Sequence, residues 1–195
     1  FAGAEEFEKQ QIALNRSGLA YLEDAVATHG IDCDWSWAGK THAACTDRGV
    51  ADLEHFAGTL DRIDEPYEVL DADAMAERLG IGYYRRGLHT PGTALMQPAA
   101  ACRGLADHMP PNVVVHEETP VTWMDAGPPH ELWTDGGNVR TPEVLLANNG
   151  YLAGFGYYRR HLIPVVTWGS MTRPLTADEM AGIGGMDGWL VTPAV

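Results

Sequence analysis

The sequence is poor in basic residues. It has 13 Lys and Arg against 27 Asp and Glu, which leaves a formal net charge of −14 at pH 7. A surface with this charge repels phosphate backbones and anionic lipid headgroups, which argues against nucleic acid or a membrane surface as a partner. The negative net charge does not indicate a particular function, because acidic surfaces commonly serve solubility.

Cysteine and long apolar runs are also scarce. The three cysteines are odd in number and contain no CxxC pair, which argues against a disulfide framework and favours a reducing compartment. No apolar run approaches the ~20 residues of a membrane span, and no segment has the pattern of a signal peptide. We therefore predict a cytoplasmic protein. The chain enters a helical pattern directly after Phe1 and ends just after a strand-like segment at Trp189–Thr192, so we expect it to be a piece of a longer protein.

Patterns typical of common catalytic chemistries are missing as well. There are only three serines, and Ser170 does not lie in a nucleophile elbow. The glycine-rich segments Gly154–Gly156 and Gly182–Gly185 do not match GxGxxG or a Walker loop. His42 and Cys45 lack a second ligand pair, and the other histidines lie beside charges or turns, which is typical of solvated surface. These patterns predict no metal site and identify no catalytic residue.

The hydrophobic periodicity predicts alternating helices and short strands. Apolar residues spaced seven, three and four apart predict one long helix over Ala4–His29. Two strands are predicted within Cys33–Cys45, followed by helices capped by Asp47 and Asp71. Thr176 begins a capping-box pattern near the end of the chain. This order excludes a sandwich and predicts an α+β (mixed α/β) fold.

The stretch from Val113 to Tyr151 organises the second half of the chain. Val113–Glu117 and Val144–Ala147 are short apolar runs typical of buried strands, and a β-meander lies between them. Asn148–Gly150 ends the second run with residues that tolerate positive φ, so the chain can turn sharply and approach a ligand there. Leu162–Thr172 is predicted to be the longest strand. Among six tryptophans, which serve either core packing or a flat-ligand pocket, only Trp168 beside Gly169 favours a pocket wall.

Four segments, in order, are similar to the FAD-dependent D-amino-acid oxidase (DAO) superfamily: Leu88–His108, Glu118–Thr122, Val144–Tyr151 and Ile163–Val165. Tyr84–Gly92 and Gly156–Arg160 most resemble the gamma-glutamylputrescine oxidase branch. The resemblance implies a partial FAD/NAD(P)-binding-type layer with a β-meander and an antiparallel-sheet substrate layer. It assigns residues 1–97 to the substrate-facing layer, 98–154 to the FAD-binding layer, and 155–195 to the substrate-facing sheet again. The family's N-terminal GxGxxG and C-terminal flavin loop are absent, so the implied partners are the missing parts of the same enzyme.

The resemblance also implies site residues. It places the backbone of Val121 at the adenine end of FAD, and Ala147, Asn148 and Gly150 near the ribose and pyrophosphate. The family often has Ala-Gly or Met-Gly followed by an aromatic residue, whereas this chain has Asn-Asn-Gly-Tyr, which leaves open which Asn contacts the cofactor. Trp168 and Met96 are the candidate walls of the substrate pocket.

The implied activity is oxidation of the C–N bond of a small amine or amino acid by hydride transfer to the flavin. Two alternatives are a flavoprotein dehydrogenase with an acceptor other than oxygen and a non-catalytic binding module. We expect the isolated chain to be inactive and to bind FAD weakly or not at all. A carboxylate-bearing substrate would favour an Arg, but the pairs Arg85–Arg86 and Arg159–Arg160 lie beside tyrosines and are more typical of surface.

Overall fold

The chain forms two compact units. In the computed structural model, the described residues are 4–163, 165–182 and 190–194. The first unit comprises the described residues of Phe1–Pro110 and Arg173–Val195, and the second comprises those of Pro111–Thr172. The resemblance divides the chain at other positions, after residues 97 and 154, and its assignment of layers to cofactor and substrate stays a prediction.

A long helix opens the first unit. Helix α1 spans Ala4–His29, as the periodicity predicts, and Gly30 ends it with a φ of +61°. Near its C-terminus Val26 is buried together with Cys33 and with Ala101 of helix α4, Pro98–Asp107.

Two shorter helices follow along the chain. Helix α2 spans Asp47–Ile63, and the side chain of Thr46, not that of Asp47, caps it by accepting a hydrogen bond from the Gly49 N–H at 3.1 Å. Helix α3 spans Ala72–Leu79 and has the predicted cap, because Asp71 accepts from the Ala74 N–H at 2.9 Å. The Asp47 prediction was wrong by one residue: a cap needs a side chain that precedes the first turn, and Asp47 already lies in it.

A four-stranded sheet forms the centre of the first unit, in the order β2-β3-β1-β7. The strands are β1 (Lys40–Ala44), β2 (Glu68–Leu70), β3 (Arg86–Thr90) and β7 (Val191–Pro193). Strand β3 pairs antiparallel with both β1 and β2, whereas β7 pairs parallel with β1. The core lies on both faces of this sheet. Buried residues of one cluster are Ala44, Leu53, Leu60, Ile63 and Leu88; those of the other are Ala43, Leu70, Met75 and Leu79.

Of the two strands predicted within Cys33–Cys45, the second is confirmed as β1 and the first is wrong. In place of the first strand, Ser36 makes a single isolated bridge with Leu95. Asp34 has a φ of +52°, which is incompatible with an extended strand at that point. Of the predicted strand Trp189–Thr192, β7 begins at Val191, and Trp189 lies outside the described residues. Residues 183–185 of the glycine-rich segment also lie outside them.

The second unit is built on the predicted β-meander. Its strands are β4 (Trp123–Asp125), β5 (His130–Thr134) and β6 (Gly137–Thr141), which pair antiparallel in sequence order. A 3₁₀ helix, Asn149–Phe155, follows. In the first unit, after Arg173, helix α5 spans Ala177–Gly182.

Three predicted strands are irregular in the structure. Val113–Glu117, Val144–Ala147 and the described residues of Leu162–Thr172 pair with no strand in the described part of the chain. Many of their apolar side chains are exposed; Leu145 is 91% exposed and Trp168 is 95% exposed. An apolar run indicates a preference for extended backbone, but a strand also needs a hydrogen-bonded neighbour. The mixed α/β class itself is confirmed. No helix among the described residues is both long enough and apolar enough to cross a bilayer.

Candidate functional site

One cavity of the second unit collects residues from four segments of the chain. It has a volume of about 390 Å³ and lies between the meander, the run Val144–Asn148 and the 3₁₀ helix. Its lining residues are Val121, Met124, Leu132, Val144, Leu145, Leu146, Ala147, Asn148 and Phe155. Three of the four residues predicted to contact the cofactor, Val121, Ala147 and Asn148, therefore line the same space.

The meander supplies one wall of this cavity through its register. Met124 and Leu132 are direct partners across β4 and β5, so their side chains lie on the same face of the sheet. Trp123 and Trp133 form the neighbouring pair and, because side chains alternate along a strand, they belong to the opposite face. Both are exposed, at 60% and 41%. The apolar face of the meander is thus the one turned to the cavity.

Asn148 is the polar group of the cavity. It precedes the 3₁₀ helix and its carbonyl accepts a hydrogen bond from the Tyr151 N–H at 3.1 Å, but its side chain makes no capping bond. Its Oδ1 atom is buried and has no hydrogen-bond partner among the described residues. A buried amide oxygen without a donor is costly, so this atom is an acceptor available to a ligand.

The turn after Asn148 behaves as its residue types predict. Asn149 has a φ of +49°, in the left-handed region that Asn tolerates better than most residues. Gly150 lines a second cavity of about 500 Å³ together with Asn149, Tyr151, Ala153, Leu162, Ile163 and Val165. A Cβ at Gly150 would meet open space, so its backbone stands clear of its neighbours.

The two residues predicted to form substrate-pocket walls lie in different units. Met96 belongs to the first unit, where it packs against the cluster of Val26, Cys33 and Ala101. Trp168 belongs to the second unit, where its side chain is 95% exposed and lines neither of the two cavities described above. Their role toward substrate stays a prediction.

Sequence reasoning missed six of the nine lining residues: Met124, Leu132, Val144, Leu145, Leu146 and Phe155. The sequence pattern could have identified Met124 and Leu132, because both lie at alternating apolar positions of the predicted meander. Phe155 lies in a glycine-broken segment with no periodicity, and only the 3₁₀ helix brings it to the cavity.

A polar cluster in the first unit was also missed. His89 was interpreted as solvated, but it is half-buried beside Thr41, which is 3% exposed. Burial lowers the pKa of His89 below its ordinary value, and the nearby Arg78 guanidinium lowers it further. Burial likewise lowers the pKa of His42, and Lys40 adds to that effect. In the described residues no group of three or more potential metal ligands comes together.

The arginine pair of the first unit lies at the surface, as predicted. Arg85 pairs with Asp47 at 2.7 Å and Arg86 with Glu54 at 3.5 Å, and all four side chains are more than 40% exposed. Because Asp47 and Glu54 already pair with these guanidinium groups, we do not propose Arg85 or Arg86 as a substrate ligand.

The architecture is shared with solved amino-acid oxidoreductases. Glycine oxidase from Bacillus cereus ATCC 14579 matches with a TM-score of 0.63 at 15% identity, covering 82% of this chain and 46% of that one. Glycine oxidase from Geobacillus kaustophilus matches with a TM-score of 0.61 at 23% identity, covering 74% and 40%. L-proline dehydrogenase from P. horikoshii matches with a TM-score of 0.57 at 13% identity, covering 73% and 39%. The chain therefore spans less than half the length of these structures.

The family assignment rests on a match between the sequence and a family model. The DAO family model, described as FAD dependent oxidoreductase, matches residues 2–192, so the chain belongs to this family of FAD-dependent oxidoreductases. No curated protein sequence matches the chain significantly. The cavity fits part of the family's cofactor, because the unpartnered Oδ1 of Asn148 is the kind of acceptor that a ribose hydroxyl or an adenine amino group would satisfy.

Proposed function

We propose that this chain is part of an FAD-dependent enzyme that oxidises the C–N bond of an amine or amino acid. The observation that carries the proposal is the grouping of Val121, Ala147 and Asn148 around one cavity, in a chain that belongs to the FAD-dependent DAO family. The same residues were predicted from motifs that lie far apart in the sequence.

The residues that would hold the cofactor are Val121, Ala147, Asn148 and Gly150. FAD, when bound, supplies the chemistry by accepting a hydride from the carbon beside the substrate nitrogen. What this chain adds is binding and orientation: a cavity lined mostly by apolar side chains and a hydrogen-bond acceptor that fixes the ligand's position. We assign no general base.

The substrate is proposed to be a gamma-glutamylputrescine-like amine or an amino acid. The branch resemblance rests on Tyr84–Gly92 and Gly156–Arg160. The structural neighbours are named for small amino-acid substrates, glycine and L-proline, which supports the same substrate class. Met96 and Trp168 are proposed as pocket walls. The remaining parts of the enzyme are proposed to supply the phosphate-binding loop.

The test is an absorption spectrum of the longest natural form of the protein. We expect flavin bands that bleach when a panel of amines, gamma-glutamylputrescine among them, is added without oxygen. The amine that bleaches the flavin identifies the substrate class. A colourless protein that FAD cannot reconstitute would contradict the proposal and favour a non-catalytic binding module.

A second candidate differs only in the electron acceptor. The neighbour named as a dehydrogenase supports an enzyme that passes electrons to a carrier instead of oxygen. Admitting oxygen to the substrate-reduced protein separates the two: an oxidase regains its flavin bands rapidly and produces peroxide, whereas a dehydrogenase stays reduced until a carrier is added.

A further inference from the structure

The first unit has a cavity of its own, between helices α1 and α2 and the turn that follows strand β3. Its volume is about 380 Å³, which lies within the range of sites for small organic ligands. Helix α1 contributes Ile12, Asn15, Arg16 and Leu19 to its lining. Because residues three and four apart share one face of a helix, these four side chains form one continuous patch.

Part of this lining is apolar and belongs to the packed core. Ile12 of α1 and Phe56 of α2 pack against the buried cluster that contains Leu60 and Leu88. Leu19 continues the same apolar surface along α1. A ligand with an aliphatic or aromatic group would therefore remove apolar surface from water here, which favours its binding.

A pair of opposite charges lines the same cavity. The Nη2 atom of Arg16 donates a hydrogen bond to Oε2 of Glu65 at 2.6 Å. The Glu65 side chain is only 19% exposed, and its backbone is fixed at the end of α2, where its N–H donates to the Leu60 carbonyl at 3.0 Å. In the described part of the chain neither side chain makes another hydrogen bond, so the remaining N–H groups of Arg16 and the Oε1 atom of Glu65 are available to a ligand.

A cation and an anion side by side favour a ligand that carries both charges. A ligand with a single charge would pair with one of the two residues and draw it away from the other, which loses part of the existing ion pair. A zwitterion would extend the pair instead, because its carboxylate accepts from Arg16 while its ammonium donates to Glu65. Asn15 adds an amide that can both donate and accept.

We propose that this cavity binds a free α-amino acid with an aliphatic or aromatic side chain. The ligand's two charged groups bind Arg16 and Glu65, and its side chain packs against Ile12, Leu19 and Phe56. All of these residues belong to the first unit, whereas the residues proposed to contact FAD belong to the second. The binding therefore requires neither FAD nor the proposed oxidation.

The experiment titrates the 195-residue chain with three probes that share an isobutyl group. L-leucine carries both charges, isoamylamine carries only the ammonium, and isocaproate carries only the carboxylate. Binding is followed by NMR through the side-chain amide of Asn15 and the methyl groups of Ile12 and Leu19. We expect L-leucine to bind in the millimolar range, because the site is open and small. Each probe with a single charge should bind about fivefold more weakly, the usual contribution of a partly exposed ion pair.

Two variants assign the charges of the ligand to their partners. Arg16→Met should weaken L-leucine and isocaproate about fivefold and leave isoamylamine no weaker. Glu65→Gln should weaken L-leucine and isoamylamine and leave isocaproate no weaker. The matched control is the ion pair of Arg62 with Glu8, which also joins α2 to α1, at 3.0 Å, but contributes no residue to this cavity. Arg62→Met and Glu8→Gln should leave the affinity for L-leucine unchanged.

Three results would overturn the amino-acid site. The first is the absence of any saturable shift with L-leucine. The second is an affinity for isoamylamine or isocaproate equal to that for L-leucine, and the third is an equal loss of L-leucine binding in the Arg62→Met and Arg16→Met chains. None of them bears on the proposed function, because the flavin spectrum of the longest natural form tests that function separately.

Discussion

The Oγ1 atom of Thr41 lies 3.0 Å from the Nδ1 atom of His89, across the paired strands β1 and β3. Thr41 is 3% exposed, so this hydrogen bond satisfies a hydroxyl that would otherwise be buried without a partner. The bond holds His89 on the face of the sheet where Glu68 is its cross-strand neighbour. A histidine that looked like solvated surface in the sequence is thus part of the sheet's packing.

His89 is expected to make stability depend on pH. Its folded-state pKa lies below the ordinary value of 6.5, first because of burial and second because of Arg78. As the pH falls below about 6.5, the unfolded chain gains a proton that the folded imidazole resists, so the free energy of unfolding decreases. Urea unfolding between pH 8 and pH 5 should show this loss. His89→Gln should flatten the dependence, although His42 will retain part of it.

The control for this effect is His55→Gln, at an exposed position of α2, which should keep the full pH dependence. Arg78→Met should move the pKa of His89 back toward its ordinary value, as measured by NMR titration of the imidazole. An unchanged slope in the His89→Gln chain would contradict the assignment.

Gly39 is expected to tolerate no side chain. It has a φ of +65°, and a Cβ there would clash with Cε1 of His89 and lie 2.8 Å from the backbone oxygen of Thr90. Gly39→Ala therefore combines left-handed strain with a clash and should cost about 2 kcal/mol or more in the free energy of unfolding. Gly58→Ala in α2 is the control, because a Cβ there meets nothing within 4 Å. That change should be neutral or slightly stabilising, since Ala is the better helix former. Equal effects of the two changes would contradict the geometry.

How far the sequence predicts this structure depends on the range of the interactions. Helices α1 and α3 were predictable because periodicity, the Asp71 cap and the Gly30 stop act within a few residues. Val144–Ala147 and the described residues of Leu162–Thr172 were wrongly predicted as strands, because strand pairing depends on distant segments that a local apolar run does not report. The same distinction between local and long-range interactions applies to the candidate cavity. The Asn149 turn follows from local turn chemistry, whereas the position of Phe155 depends on packing across the second unit.

Met75 is expected to dominate the stability of the core cluster that it shares with Ala43 and Leu79. Its side chain is 0% exposed and contacts Gly87, at a position where no further atom fits. Met75→Ala should leave a cavity and cost about 2–5 kcal/mol of the free energy of unfolding. Met171→Ala removes the same atoms from a residue that is 93% exposed and should change stability by less than about 0.5 kcal/mol. Urea denaturation of both variants measures the difference, and a small loss for Met75→Ala would show that this cluster is not a packed core.

Glu179 is expected to titrate far below an ordinary carboxyl group. The Arg173 guanidinium binds both carboxylate oxygens at 2.6 and 2.9 Å, and the Thr176 N–H donates at 2.9 Å, which lowers the pKa from 4.5 to about 2. Because the folded pKa is lowered, these contacts stabilise the start of α5 above pH 4.5, and the stabilisation is lost as the pH falls toward 2.

An NMR titration of the Glu179 side-chain carboxyl carbon tests this assignment, and Arg173→Met should move the midpoint upward because it removes the largest cause. Thr176→Ala removes only the hydroxyl contribution, since its backbone N–H remains, and should move the midpoint less. A larger shift for Thr176→Ala than for Arg173→Met would show that the capping box, and not the ion pair, holds this carboxylate.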